Sequence, residues 1–195
     1  MKDQLISYFE LLQIMLGKYA GFVGEVWQDF PQLAEWHDDD PSLLSMWSLD
    51  KFIEAGYHNF HAERKQLFHI SKLIEKYAQD NSQPLLATFE KIARYKFVEK
   101  RYQKMIEKIP AITVVADFGK TKVDTHPKIN VINCKDTPLF DVWSVITRGP
   151  YGPFGLIAEE YESGKFRGFF TLNPNVCRHA VNKMSKILGT KFTLQ

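Results

Sequence analysis

The chain has 195 residues, 45% of them hydrophobic and 25% charged, and its 25 Lys+Arg against 23 Asp+Glu leave a formal net charge of +2. This composition supports one globular domain of ordinary size and excludes a disordered chain. A charge so close to balance also excludes a general electrostatic pull toward nucleic acid or an anionic membrane.

The first residues carry Lys2, Asp3 and Glu10 among apolar neighbours, so they lack the positive n-region and clean apolar h-region of a signal peptide. No uncharged run reaches the roughly 18 residues that span a bilayer. Two cysteines, Cys134 and Cys177, are too few for a disulfide framework. A cytoplasmic setting without membrane contact is expected.

Leu5, Phe9, Leu12 and Leu16 recur at three- and four-residue steps and define one face of a helix. Gly17, Gly21 and Gly24 interrupt it. Asp38, Asp39 and Asp40 precede Pro41, which suits the first position of a new helix carrying Leu44, Trp47 and Phe52. From His58 to Ala78 the spacing of Phe60, Leu67, Ile70, Ile74 and Tyr77 predicts a longer helix, stopped by Asp80-Asn81-Ser82. Pro84 then opens a further helix through Leu86, Phe89, Ile92 and Ala93, running toward Ile109, where Pro110 sets a boundary.

Beyond Pro110 the period falls to two. Ile112–Phe118, Ile129–Cys134, Val142–Thr147, Phe154–Tyr161 and Phe166–Leu172 predict strands, and Ser163-Gly164-Lys165 predicts a hairpin turn. Asn173-Pro174 opens a last helix that Gly189 closes. The expected class is α+β: a helical N-terminal half packed with a mainly antiparallel sheet of about five strands and a C-terminal helix.

Catalytic signals are absent. No GxSxG elbow, P-loop or HExxH pattern occurs, and neither cysteine lies in a nucleophile signature. His58 and His61 read as solvated helix-surface histidines, and Cys177 and His179 sit about 200° apart on a helix, too far round to share a metal ion. Glu159 and Glu160 are neighbours on a strand and point to opposite faces, one expected in a salt bridge and one solvated or facing an edge. Lys91 to Lys108 is basic and aromatic, yet Glu90, Glu99 and Glu107 offer intrahelical pairing, so a solvated amphipathic helix is expected rather than a nucleic-acid grip. Gly17, Gly21, Gly24 and Trp27 form a small-residue and aromatic segment suited to an interface.

From Arg64 onward the ordered phrases resemble the DICT sensory domain, named for its occurrence with diguanylate cyclases and two-component systems. RKQLFHISKLIEKYAQDNSQPLLATFEK (64–91) resembles the family's helical opening, with Ser71, Ile74 and Glu75 in its S-x-x-I-E phrase. RYKFVEKRYQKM and AITVVADFGK resemble the link and first strand that follow. Asp136, Pro138, Leu139, Trp143, Val145, Gly149, Pro150, Ala158 and Glu160 match a D-x-P-L-x-x-x-W-x-V-V-x-x-G-P segment and its following A-x-E. FRGFFTLNPNVCRHAVNKMSKIL, with Arg167, Phe169 and Thr171, resembles the closing strand and helix.

The resemblance implies a non-catalytic module of bacterial signalling, with cyanobacteria prominent among its hosts, acting on a small ligand or a signalling partner. It leaves the cofactor unknown, a chromophore included, since the family has been linked to light responses. It divides the chain into a helical extension, 1–60, for self-association or a partner, and a sensory domain, 61–195. Trp143, Arg148, Glu160 and Arg167 are candidate ligand residues, one aromatic and three charges on predicted strands beside a Gly/Pro loop. The competing account makes Trp143 core and the three charges cross-strand pairs. A ligand-free adaptor acting through homo-oligomerisation is the alternative function.

Overall fold

The five β-rich runs of the second half all form strands, with the expected hairpin at Ser163-Gly164-Lys165, and two further strands join them from the first half. The structure, a computed structural model, describes residues 17–34, 41–121, 126–192 and 194. The strands are β1 (Tyr57–Glu63), β2 (Leu85–Lys91), β3 (Ile112–Asp117), β4 (Ile129–Asn133), β5 (Val142–Gly149), β6 (Gly152–Glu162) and β7 (Lys165–Thr171). They form one seven-stranded sheet in the order β1-β7-β6-β5-β2-β3-β4. The pairs β1–β7, β7–β6, β6–β5 and β5–β2 are antiparallel, while β2–β3 and β3–β4 are parallel. Among the described residues the helices are α1 (Gly21–Asp29), α2 (Pro41–Leu44), α3 (Leu49–Ala55), α4 (Arg64–Asp80), α5 (Ile92–Met105) and α6 (Pro174–Leu188).

The mainly antiparallel sheet and the C-terminal helix are as expected, but the sheet has seven strands rather than about five, two of them from the half expected to be helical, and a β2–α5–β3 crossover makes it a mixed α/β sheet. Residues 57–63 are an edge strand, not the start of a helix. His58, Phe60 and Ala62 are buried on one side, and α4 begins at Arg64 behind a capping box of Glu63 and Gln66. Residues 85–91 are a central strand whose first six residues are all buried. A strand covered on both faces reads as a continuous apolar run, which periodicity cannot separate from a buried helix. The short helix from Pro41 also ends early, at Leu44, and Ser48 caps a separate helix by accepting from Lys51 N at 3.4 Å. Leu5–Leu16 and Asp38–Asp40 lie outside the described residues.

Helices cover both faces, which makes three layers. On one side α4, α5 and the short α2 and α3 bury Phe89, Val114, Trp143, Val145, Leu156 and Phe170. On the other, α1 and α6 bury Val115, Val142, Ile146, Ile157 and Phe169. The alternation along β5 sends Trp143 and Val145 to the first core and Val142 and Ile146 to the second. The last helix forms as its caps predict. Asn173 Oδ1 accepts from Asn175 N at 3.0 Å, Pro174 takes the first position, and Gly189 closes the helix with φ +61°.

The segment assigned to an N-terminal extension shares these cores: Phe22, Val23, Val26 and Trp27 belong to one, and Leu44, Phe52 and Phe60 to the other. Strand β1 runs across the 60/61 boundary.

Candidate functional site

A cavity of about 310 Å³ opens between α4 and α5 over the sheet. Phe89 of β2 and Trp143 and Val145 of β5 make its floor. Arg64, Phe68, Ser71 and Glu75 of α4 line one wall at steps of four, three and four residues, the spacing of one helical seam. Ala93, Arg94, Phe97, Val98, Arg101 and Tyr102 of α5 line the other at paired positions one turn apart. Phe97 stands at the mouth, 84% exposed.

The charges in this cavity are held by an ionic shell. Arg64 donates from Nη1 to Glu90 Oε1 at 2.7 Å and from Nη2 to Glu160 Oε1 at 3.1 Å. Its guanidinium lies 4.9 Å from the Phe166 ring centroid and 5.5 Å from that of Trp143. Gly164 N also donates to Glu160 Oε1, at 2.6 Å. At the far end, Arg101 Nη2 and Tyr102 Oη both donate to Glu75 Oε1 at 2.9 Å. Trp143 Nε1 donates to Ser71 Oγ at 3.1 Å, which fixes the indole on the floor.

Partnering stops short of completion. Glu90 Oε2 and Arg101 Nε are buried with no hydrogen-bond partner among the described residues, and Arg94 Nε stands 3.9 Å from that same Glu90 oxygen. Burial raises the Glu75 carboxyl above its ordinary range against the opposing pull of Arg101, Tyr102 and Lys72. Burial and the neighbouring Glu75 hold the Tyr102 phenol protonated well past its usual value. A cavity with apolar walls, rings on three sides and guanidinium groups along it can enclose a small molecule and orient it by charge.

The four residues proposed from sequence do not converge. Trp143 is in the cavity floor, and Glu160 stands behind it, holding Arg64. Arg167 faces the opposite side of the sheet. Its Nε donates to Glu159 Oε1 at 2.8 Å, and it also donates to the carbonyls of Gly17, Lys18 and Ala20. Arg148 is exposed at the end of β5, along an open concavity with Tyr151 and Arg178. The cross-strand account holds for Arg167, whose register partner is Glu159. It fails for Glu160, whose partner Arg64 comes from a helix. Glu159 and Glu160 point to opposite faces as expected, but both are ion-paired, so neither is the solvated acid.

The interface candidates are placed within the protomer. Gly21, at φ +71°, lets the Glu159 carboxylate sit where a Cβ would stand, and Val23 N donates to Glu159 Oε2 at 3.0 Å. Gly24 packs against the Tyr19 backbone, and Trp27 is fully buried with Nε1 donating to Tyr57 Oη at 3.0 Å. Gly17 is exposed, with open space around its Cα.

The histidine and cysteine readings change with the strands. His58 is buried against Trp47 at 4.8 Å between ring centroids, not solvated on a helix, and His61 faces the other side of β1 beside Tyr161. Among the described residues, no group of three or more His, Cys, Asp or Glu is placed to hold a metal ion. Burial pushes the Cys134 thiol up to about 11 and raises that of Cys177 further, so both stay protonated. No helix among the described residues is long and apolar enough to cross a membrane.

Sequence reasoning missed Arg64, Phe68, Arg94 and Arg101. Their signal was present as two seams, R-x3-F-x2-S-x3-E in α4 and R-x2-F-V-x2-R-Y in α5. The second lay inside the stretch read as a solvated amphipathic helix, where Lys96 and Glu99 pair at 3.3 Å on the outside and Tyr95, Val98 and Tyr102 form the buried face. Compared with known protein families, characterised proteins and solved structures, the chain finds no match.

Proposed function

We propose that the chain is a non-catalytic sensory domain of bacterial signalling, as the DICT resemblance implies, and that it recognises a small molecule in the cavity between α4 and α5. The observation that carries the reading is an apolar cavity lined by Arg101, whose Nε stays buried without a partner among the described residues. A fold selected only for stability fills such a space or pairs such groups. The cavity's one hydroxyl–carboxylate pair, Tyr102 with Glu75, has a phenol that burial and Glu75 hold protonated, so binding fits the geometry better than chemistry.

Transmission follows from the position of α5. Arg101 and Tyr102 hold this helix to Glu75 of α4 across the cavity. A ligand between the two helices competes for those bonds and favours a different α5 packing. The shift is as large as the ligand's differential affinity for the two states and no larger. Of the residues that motivate the adaptor alternative, Gly21, Gly24 and Trp27 face the protein's own Glu159, Tyr19 backbone and core, and Gly17 is exposed.

Native mass spectrometry with an absorption spectrum, on gently purified protein, tests the proposal. Val98→Phe places a ring in the cavity from a buried α5 position. A stoichiometric extra mass in the wild type that Val98→Phe lacks is the expected result. An extra mass retained by Val98→Phe refutes this site.

A further inference from the structure

Resting on the cavity as a ligand site, its lining narrows the ligand's chemistry. The space, about 310 Å³, is worth roughly ten water volumes and sits at the small end of ligand pockets. That suits one or two fused rings, not a nucleotide or a lipid chain. Phe68, Phe89, Phe97 and Trp143 present ring faces and edges around it, a setting in which planar molecules gain offset and edge-to-face contacts.

Charge decides the rest. Three arginines line the cavity against one acid, and that acid, Glu75, already accepts from Arg101 and Tyr102. Glu90 has a free oxygen, but Arg94 lies 3.9 Å from it and can close the gap by a side-chain movement. Arg101 Nε is different. It is a buried donor on a permanently charged group, with no acceptor among the described residues, on a side chain that lines the cavity. A cationic ligand meets guanidinium groups and no open carboxylate. A neutral one offers the Nε–H at most an uncharged acceptor, the weaker partner for a charged donor.

We infer that the cavity takes a small planar apolar acid, its ring among Phe68, Phe89 and Trp143 and its carboxylate accepting from Arg101 Nε. A hydrogen bond in which donor and acceptor are both charged is the strong kind, so the acid is preferred over its neutral analogue. Phe97, exposed at the mouth in the free protein, folds over the ring and loses its solvent contact.

The probes are 2-naphthoate and its neutral counterpart 2-naphthalenemethanol, titrated against the full chain by calorimetry and followed by backbone amide shifts. The expected result is that naphthoate binds at least about tenfold tighter, with shifts in α4 and α5. Arg101→Met abolishes that preference and leaves the alcohol's affinity within about twofold, and Val98→Phe removes binding of both. Should the Met variant not fold, Arg101→Lys keeps the charge beside Glu75 but lacks the Nε–H, and it is expected to lose most of the preference. Equal binding of the two probes, or a preference unchanged in the Arg101 variants, overturns the acid assignment and leaves the cavity as a ligand site. Binding of neither probe overturns the acid assignment and the cavity reading together.

Discussion

Each face of the sheet buries arginine–glutamate pairing, and the two faces are built to opposite standards. On the α1/α6 face, Glu159 is used at both oxygens, by Val23 N at 3.0 Å and by Arg167 Nε at 2.8 Å. Arg167 in turn donates to the carbonyls of Gly17, Lys18 and Ala20, so the pair stitches the chain before α1 onto the sheet. On the α4/α5 face, Glu90 Oε2 and Arg101 Nε are left over, and a cavity lies alongside. Buried charge that is fully satisfied locks a structure, whereas buried charge left incomplete keeps capacity in reserve for something else to complete it. That contrast separates the structural face from the face proposed to take a ligand.

The contrast is broken most sharply by removing one arginine from each side. Arg167→Met leaves the Glu159 carboxylate, 7% exposed, without its cation and frees three carbonyls. A loss of about 3 kcal/mol or more in urea unfolding is expected. Arg64→Met also strands a glutamate, Glu90 at 4% exposure. There Arg94 stands 3.9 Å from the carboxylate and can swing in, so the expected loss is smaller, about 2 kcal/mol. Equal losses for the two variants erase the distinction between the faces.

The same contrast explains what the sequence revealed. The strands from Ile112 to Thr171 and helix α6 were legible because turn residues punctuate them and their caps are local. Strand β2 was not, since burial on both faces removes the alternation that marks a strand. Strand β1 was hidden by its polar residues, whose burial depends on Trp47 and α1, elements remote in sequence. In the candidate site, Trp143 was found as an aromatic on a predicted strand, and Glu160 because of its neighbours. Arg64 and Arg101 were not, because a helical arginine facing a cavity has the same spacing as one facing water. What distinguishes them is the partner across the gap, Glu90 or Glu75, and that pairing is written only in the tertiary fold.

The subtlest expected effect belongs to Glu75, the acid within the cavity. Burial raises its folded-state value above the ordinary 4.5, opposed by Arg101, Tyr102 and Lys72. Between those two values the folded chain holds a proton that the unfolded chain has released, so its stabilising effect is complete below 4.5 and declines as pH rises through the folded value. Each unit of displacement is worth about 1.4 kcal/mol. Glu75→Gln is neutral throughout and keeps an oxygen that can accept from Tyr102 Oη, so its stability is expected to decline less from pH 4.5 upward. Asp141, raised by burial and by Glu160, Glu90 and Glu159, contributes a decline of the same sign. His61, lowered by burial and by Arg167, contributes the opposite sign. Both are retained in the variant and cancel in the difference between the two proteins. Urea midpoints measured from pH 4.5 to 8 read that difference directly. Parallel curves for wild type and Glu75→Gln mean that Arg101 fully neutralises Glu75, and the reserve of positive charge assigned to this face disappears with it.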